Sequence, residues 1–399
     1  MCNISDETRQ FIKEHLDEDV RHLALQARKY PSVNMSEAVT QISGHQIAEK
    51  KIPSWACIEN IIYPKHLSME QCSSETTAIY KANLVNGNTF ADITAGFGVD
   101  CSFIARKFKE AHYVERQEYL CNIAEKNFHT LGLTHIRVHN TDGVEFLKEM
   151  DKVDCIFLDP ARRDANGGKT VVISECEPDI SSIEELLVEK ADTVMVKLSP
   201  MLDIFSTIRE LKFINNVHII SVNNECKELV LILKKGAKDC VSKEKNVLIS
   251  CEQVVNNSQS QHMDFTMEEE KNAVCNLTDK VGKYLYEPGA SLLKAGAYKI
   301  LSERYKAYKL HPNSHLYTSE ELIDFPGRRF ETIETTSFSK KELKSFLKDI
   351  EKANLTVRNF PSTVAELRKK LKLKEGGDIY LFATTLNNGE KVLIKCRKA

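Results

Sequence analysis

The chain has 399 residues, of which 42% are hydrophobic and 28% are charged, and its formal net charge is −2. This length exceeds one typical domain, so we expect two or three domains, each able to bury a core of ordinary size. A net charge so close to zero excludes a generally polycationic protein. Any nucleic-acid binding must therefore come from local basic patches.

The 12 cysteines are scattered along the chain. None of them forms a C-x-x-C pair or a His/Cys cluster with zinc-like spacing, so we expect free thiols, a reducing compartment and no metal. The polar, acidic N-terminus has no signal-peptide pattern, and the longest aliphatic run, 229–233, is far below the ~20 residues of a membrane helix. These features predict a cytoplasmic protein with no membrane segment.

The first predicted elements are helices. Apolar residues recur with helical spacing over 6–30, and a second helix-like stretch reaches about residue 50. We take 1–85 as a helical N-terminal segment, ending in EQCSSETTAIYKA (70–82), where Gln71, Ser73 and Ser74 are candidates either to cap a helix or to contact a ligand.

From 86 to 237 short β-rich runs alternate with helical stretches. This alternation predicts a parallel sheet with right-handed crossover helices, and the last two of seven strands form a hairpin. The fold class is therefore α/β, Rossmann-like and seven-stranded, preceded by helices. After 237 the rhythm breaks, and we expect a small α+β, ferredoxin-like module over 238–330 and a second compact α+β module over 331–399.

The segment TFADITAGFGVD (89–100) has the pattern D-x-x-x-G-x-G between a strand and a helix. Asp92 ends the strand, and Gly96 and Gly98 allow a tight turn and a close approach of backbone to a ligand. A helix N-terminus favours a polar or anionic group there. Taken alone, the pattern is equally compatible with an ordinary βα turn.

Two later strand ends sharpen this interpretation. Glu115 ends the second strand, 17 residues after Gly98, where one carboxylate can accept both hydroxyls of a ribose. In NTDG (140–143), Asp142 can accept an adenine amino group or simply cap a helix, and Gly143 leaves room for a ring. The full set of predicted cofactor-binding residues is Asp92, Thr94, Gly96, Gly98, Glu115, Arg116, Asp142 and Gly143.

The spacing of these residues admits either NAD or S-adenosylmethionine. The third glycine of the dinucleotide pattern is replaced by Cys101. The fourth strand then ends in a motif that nicotinamide enzymes do not need. We therefore predict S-adenosylmethionine as the cofactor.

That motif is VDCIFLDPARRD (153–164), in which Asp159 and Pro160 follow the fourth strand. It resembles the (D/N)PP(Y/F) motif of methyltransferases that act on exocyclic amines. A side-chain carboxylate and the Pro160 carbonyl could accept the two N–H bonds of a poorly nucleophilic aryl amine and align its lone pair. The alternative is a plain turn at the end of a strand.

The motif departs from that pattern after Pro160. Ala161 replaces the second proline, and Arg162 and Arg163 stand where an aromatic residue is expected. Arginine can stack on a base or clamp a phosphate, although a structural ion pair would also explain these residues.

Lys197 lies within the apolar fifth strand, and we expect it beside Asp159 unless it reaches to solvent. Neither Asp159 nor Ser199 is a cysteine. This argues against pyrimidine C5 methylation, which needs a thiolate nucleophile. Asp159, Pro160 and Lys197 are thus the predicted catalytic residues.

DITAGFGVD, Glu115-Arg116, DPARRD and the upstream EQCSSETTAIYK resemble bacterial class I methyltransferases that carry a C-terminal THUMP-like domain. The segment 355–385 is similar to that domain. A looser likeness exists to the small-subunit rRNA guanine-N2 methyltransferase. The resemblance implies an S-adenosylmethionine-dependent class I fold, a THUMP-like module over 331–399 and an RNA substrate.

A basic helix in the C-terminal module supports RNA as a partner, with Arg368, Lys369 and Lys370 as predicted substrate-binding residues. A solvated helix face would explain them equally well. Arg328-Arg329 and the Tyr/Lys-rich stretch 298–309 suggest a second basic, aromatic surface. We expect an RNA methyltransferase acting on a base amine. The alternatives are a methyltransferase for small molecules or proteins and a non-catalytic RNA-binding protein with a relic donor site.

Overall fold

The computed structural model describes residues 4–162, 173–236, 247–255 and 260–399. Its helices of four or more residues are Asp6–Glu14, Val20–Leu25, Met35–Lys51, Pro53–Ala56, His66–Gln71, Glu75–Ala82, Val99–Ala105, Glu118–Thr130, Gly143–Glu149, Ile180–Lys190, Ile204–Glu210, Met267–Asn272, Ala290–Ala295, Lys299–Arg304, Lys340–Phe346 and Val364–Leu371. Its strands are β1 Thr89–Asp92, β2 Glu110–Glu115, β3 Ile136–Asn140, β4 Val153–Leu158, β5 Ala161–Arg162, β6 Cys176–Glu177, β7 Ala191–Leu198, β8 Ile214–Val222, β9 Glu225–Leu233, β10 Leu248–Val254, β11 Gln261–Thr266, β12 Tyr284–Pro288, β13 Tyr308–Lys309, β14 Tyr317–Ser319, β15 Gly327–Ser337, β16 Asn354–Arg358, β17 Tyr380–Thr385 and β18 Lys391–Lys398.

The chain divides into two compact units. The first comprises Met1–Asn215 with Val230–Cys240, and the second comprises Asn216–Leu229 with Val241–Ala399. The domain boundaries that the sequence suggested at 85, 237 and 330 stay predictions.

The N-terminal helices have a small core of their own, which contains Phe11, Leu23, Met35, Ala38 and Ile42. Short polar side chains start these helices as N-caps. The Asn34 side chain accepts a hydrogen bond from the Glu37 N–H and begins the long helix Met35–Lys51. Such caps satisfy donors that the first helical turn leaves without partners.

The large sheet has nine strands in the described part of the chain, in the order β11-β10-β8-β9-β7-β4-β1-β2-β3. The predicted Rossmann-like fold is confirmed, because β1 is flanked by β2 and β4, and β4 pairs with β7, all in parallel. The central strands are buried, as parallel strands covered on both faces must be. The carboxyl ends of β1, β2, β3, β4 and β7 therefore meet along one edge.

The sheet has two strands more than the seven expected. β10 pairs in parallel with β8, and β11 pairs with β10 in the antiparallel direction. The sequence suggested two strands around residues 256–261 but assigned them to the following module. Residues 256–259 of that connection lie outside the described residues.

A second sheet contains seven strands of the described chain, in the order β13-β14-β12-β15-β18-β17-β16. All neighbours pair in the antiparallel direction except β16 and β17, which are parallel. Phe330 and Phe382 pack in its core at a ring distance of 4.9 Å. These last strands and the helix Val364–Leu371 lie in the part of the chain for which the sequence predicted a compact α+β module.

Candidate functional site

The turn after β1 brings Gly96 and Gly98 to the start of the helix Val99–Ala105. Both glycines have positive φ, +54° and +86°, in the region that L side chains rarely adopt. A Cβ at Gly98 would press on Tyr113 and Phe128 at about 3.2 Å, whereas a Cβ at Gly96 would have nothing within 4 Å. Gly98 is therefore needed for packing, and Gly96 faces open space in which a ligand can lie.

Glu115, at the end of β2, is tied to this turn. Its carboxylate accepts hydrogen bonds from the Gly96 N–H at 3.0 Å and the Gln117 N–H at 2.8 Å. The Tyr113 hydroxyl, on the same strand, donates to the Gly96 carbonyl. The sequence thus placed Glu115 correctly next to the glycines, and backbone bonds hold its carboxylate in one orientation.

Asp92 ends β1 and is completely buried. Its Oδ1 accepts from the Thr94 N–H at 3.1 Å, while Oδ2 has no hydrogen-bond partner among the described residues. Burial raises the pKa of Asp92 well above its usual value, and the nearby carboxyl groups add to this effect. The protonated form of the carboxyl group is therefore favoured, and in that form it can donate a hydrogen bond to a ligand.

The third strand end presents Asp142 and Gly143. Asp142 caps the helix Gly143–Glu149 through Oδ1, which accepts from the Val144 and Glu145 N–H groups at 2.8 and 3.2 Å. A Cβ at Gly143 would lie 2.0 Å from the Ile93 carbonyl oxygen, so only glycine fits where this helix meets the end of β1. Asp142 Oδ1 therefore serves as a helix cap, which was the alternative to adenine binding.

Arg116 follows Glu115 but points elsewhere. Its guanidinium donates to Glu177 at 2.9 Å, and both side chains are about half exposed. The contact is a surface ion pair that the sequence did not suggest. Arg116 as a cofactor-binding residue stays a prediction.

Asp159 follows β4 and is joined directly to the turn 93–98 that follows β1. Its backbone N–H donates to the Thr94 hydroxyl at 2.6 Å. Its Oδ2 pairs with the Lys197 ammonium group at 2.6 Å, and 37% of the Asp159 side chain is exposed. The structure therefore places Lys197 beside Asp159, as the sequence predicted, and Oδ1 accepts no hydrogen bond from a described residue.

Behind this pair lies a buried polar network that the sequence largely missed. Asp100 accepts a hydrogen bond from Ser73 at 2.6 Å, lies 3.0 Å from the Lys81 ammonium and is 3.8 Å from that of Lys197. Lys81 is fully buried and also donates to Ser73 at 3.1 Å. Burial opposes ionisation of Asp100, but Lys81 and Lys197 outweigh it and hold its pKa below the usual value.

Ser73 was a sequence candidate, whereas Asp100 and Lys81 were not. A lysine in the polar segment 70–82 gives no sign that it will be buried. Ser74 proves to be a helix cap, accepting from the Thr77 N–H at 3.3 Å. Gln71 ends the preceding helix.

The arginines after Pro160 are only partly described. The backbone of Arg162 forms a short antiparallel pair with Cys176. Arg163 and the residues up to 172 lie outside the described residues. The substrate-binding roles of Arg162 and Arg163 stay predictions.

The predicted basic helix is Val364–Leu371, started by a capping box of Thr363 and Glu366. Arg368 pairs with Glu375 at 2.9 Å. The Lys370 ammonium lies 5.9 Å from the centre of the Phe338 ring. Arg368 thus forms an ion pair within the module. Binding of RNA by Arg368, Lys369 and Lys370 stays a prediction.

No group of three or more His, Cys, Asp or Glu side chains among the described residues is arranged to hold a metal ion. In the same part of the chain, no helix combines the length and apolar character required to cross a bilayer.

Comparisons with known proteins complete the description. A THUMP domain-like family model matches residues 327–398, and a ferredoxin-like domain model matches 284–326. A crystal structure of a protein assigned as a methyltransferase, from Porphyromonas gingivalis W83, has 33% sequence identity and a TM-score of 0.87 over 98% of this chain and 97% of that one. The chain belongs to the class I methyltransferases with a C-terminal THUMP-like domain.

Two other solved structures are less similar to this chain. M. capricolum TrmK, solved with S-adenosyl-homocysteine, has 14% identity and a TM-score of 0.31 over 46% of this chain and 71% of that one. An rRNA methylase from Streptococcus thermophilus has 12% identity and a TM-score of 0.31 over 40% of this chain and 94% of that one. None of the curated proteins matches the chain.

Proposed function

We propose that this protein is an S-adenosylmethionine-dependent methyltransferase that modifies RNA at an exocyclic amine of a base. One observation carries the proposal. The Thr94 hydroxyl, in the turn between the strand and the glycines, accepts the Asp159 N–H at 2.6 Å. This bond joins the turn that contains Thr94, Gly96 and Gly98 to the Asp159-Pro160 motif at the edge of the sheet where ligands of such folds bind, which supports donor and acceptor sites side by side.

The residues at this edge fit S-adenosylmethionine. The open space at Gly96 leaves room for its sulfonium-bearing chain, and the buried Asp92 Oδ2 lacks a partner that a ligand can supply. Each Glu115 oxygen accepts one backbone N–H and retains a second lone pair for a ribose hydroxyl. When bound, the cofactor supplies an electrophilic methyl group.

Asp159 prepares the acceptor. Its Oδ1 and the Pro160 carbonyl can accept the two N–H bonds of an aryl amine, which localises the nitrogen lone pair for in-line attack. Lys197 holds Oδ2 at 2.6 Å and so fixes the plane of the carboxylate. Because the Asp159 side chain is 37% exposed, the proton that the amine loses can pass through it to water.

The C-terminal modules support RNA as the acceptor. The THUMP-like match covers 327–398, and within it lies the basic helix with Lys369 and Lys370. Basic groups along a helix neutralise successive phosphates.

The test is methyl transfer from labelled S-adenosylmethionine to total RNA from a strain that lacks this protein, with the nucleosides then resolved by mass. We expect label in one base-methylated nucleoside, and the Asp159→Ala variant provides the matched control. If donor binding by calorimetry is tight and no nucleoside is labelled, the RNA acceptor is wrong and a protein or small molecule takes its place. Failure to bind the donor would instead support a relic site.

A further inference from the structure

Glu287 is a buried carboxylate in β12 that holds two arginines. Its side chain is only 2% exposed. Oε2 accepts from Nε and a terminal nitrogen of Arg328, and Oε1 accepts from Nε of Arg358 at 3.0 Å and from its terminal nitrogen at 2.8 Å. Two bidentate guanidinium contacts on one carboxylate leave a net local charge of +1.

The three residues come from distant strands of the second sheet. Arg328 is opposite Glu287 in the β12–β15 register, but Arg358 ends β16, four strands away from β12 in the sheet order. Four steps of about 4.8 Å, roughly 19 Å, exceed the reach of the two side chains. The sheet must therefore curl strongly, and the curl brings the ferredoxin-like and THUMP-like segments together at Glu287.

Arg328 and Arg358 both retain N–H donors that can bind a ligand. The Arg328 and Arg358 side chains are 36% and 38% exposed. A guanidinium has five N–H donors, and two on each arginine point to Glu287. The other three make no hydrogen bond with a described residue. A planar fork held by a buried carboxylate is pre-organised to bind an oxyanion such as a phosphate.

An aromatic pair lies close enough to Arg358 for its charge to act on both rings. The rings of Tyr298 and His315 stack at 3.8 Å with an interplanar angle of 21°, and both residues are partly exposed. Burial, together with the charges of Lys309 and Arg358, lowers the pKa of His315 to about 4. The same Arg358 charge acts on Tyr298. The pair is therefore uncharged at neutral pH and close to a cation, and His315 is held there at a φ of +53°.

A purely structural explanation covers only half of these observations. An ion triad can hold two segments together, but well-packed apolar residues do so at least as well. A structural role requires neither six spare guanidinium donors nor a partly exposed stacked pair of rings in the same region. Binding of a nucleotide would use both features, the free donors for the phosphate and the rings for the face of the base.

We infer that Arg328, Arg358 and the Tyr298–His315 pair form a binding site for an unpaired nucleotide of RNA, with the phosphate on the guanidiniums and the base on the rings. The inference rests on the proposed function and adds a place where RNA is held. The site overlaps the basic, aromatic surface that the sequence suggested from Arg328-Arg329 and 298–309, and it adds Arg358 and His315 to it.

The test measures binding of a short, unstructured, fluorescein-labelled RNA to the full chain by anisotropy, over a range of salt concentrations and without the methyl donor. Arg328→Gln and Arg358→Gln are each expected to weaken binding about tenfold and to reduce the salt slope by about 0.7 per lost phosphate contact. Arg329→Gln is the matched control. Arg329 is equally exposed at 38% but pairs with Asp324, and its loss should leave binding within about twofold.

Since either Gln variant leaves Glu287 with one partner, a second measurement uses the native chain. Bound RNA should protect Arg328 and Arg358, but not Arg329, from phenylglyoxal, as mapped by mass spectrometry. If the native chain binds and methylates RNA while these arginines react unprotected and the Gln variants bind normally, this site is wrong and the proposed function stands. If the native chain neither binds nor methylates RNA, both proposals fail.

Discussion

The Thr94 hydroxyl accepts the backbone N–H of Asp159 at 2.6 Å, across 65 residues of sequence. An equivalent bond occurs at the opposite end of the same two strands, where the Thr89 hydroxyl accepts the Asp154 N–H at 3.0 Å. The two bonds are chemically alike. Only the first connects the predicted donor turn with the predicted acceptor motif.

This pair of bonds permits a controlled test of the coupling between the two motifs. Thr94→Val removes the acceptor of the Asp159 N–H and should lower the single-turnover rate of methyl transfer about tenfold, because a small displacement of the reacting groups is costly. Each variant loses one hydrogen bond and should cost ~1 kcal/mol of unfolding free energy, but Thr89→Val should leave the rate of methyl transfer unchanged. Equal rates in the two variants would show that the Thr94 bond is only structural.

Asp159 should matter for turnover and hardly for donor affinity. Asp159→Asn keeps the shape of the side chain but removes the charge that Lys197 pairs with and weakens acceptance of an amine N–H. We expect kcat to fall by about 10²–10⁴-fold while the donor Kd, measured by calorimetry, stays within about twofold. Full activity in this variant would exclude the role that we assign to Asp159.

Gly96 and Gly132 form a matched pair for locating the donor. Both have positive φ, +54° and +71°, and neither would have any atom within 4 Å of an added Cβ. Alanine at either position should therefore cost about 1 kcal/mol of unfolding free energy through backbone strain. Only Gly96→Ala should weaken S-adenosylmethionine binding, by tenfold or more, because only its open space belongs to the site. Similar donor affinities in the two variants would place the donor elsewhere.

The buried network around Asp100 should dominate the stability of the first unit. Asp100→Asn removes the carboxylate charge that lies 3.0 Å from the fully buried Lys81 ammonium, and we expect a loss of about 3–5 kcal/mol in urea unfolding. The double variant Asp100→Leu with Lys81→Met removes both charges and should recover most of that loss. Glu59→Gln, which breaks an exposed pair with Lys13, should cost less than about 1 kcal/mol. A double variant no more stable than Asp100→Asn would contradict the assignment of the loss to the broken Asp100–Lys81 ion pair.

His262 should make stability depend on pH. Burial lowers its pKa, but hydrogen bonds and charge interactions with Asp264 and Glu252 outweigh burial, so the folded pKa lies above the usual 6.5. A raised folded pKa means that the stabilisation is complete below pH 6.5 and is lost as the pH rises through the folded value. His262→Gln should remove this decline above pH 6.5 in urea unfolding, whereas the exposed His66→Gln should leave it unchanged.

The neighbouring His218 acts in the opposite direction and in another pH range. Burial lowers its pKa to about 4, despite the opposing charge of Asp264. A depressed histidine pKa means that stability is lost as the pH falls from 6.5 towards 4, since the folded state resists protonation. A decline above pH 6.5 that persists in His262→Gln would have to come from another group.

The local patterns of the sequence determined the fold of the parallel sheet and most of the candidate donor site. Glycines at a strand–helix turn, an acidic residue at the next strand end and alternating strands and helices each follow from short-range rules, and the parallel sheet then brings the strand ends together. The sequence alone therefore predicts that Glu115, Asp159 and Lys197 lie near one edge of the sheet.

Tertiary structure alone decided which charged side chains would be buried and which would meet. Lys81 and Glu287 look like ordinary surface residues in the sequence, yet both are buried, each among charges contributed by remote segments. Arg358 lies near the basic helix in sequence but pairs with a carboxylate 71 residues away, because the second sheet curls. Hydrophobic periodicity specifies the elements, whereas pairing of charges depends on distances that exist only after those elements pack.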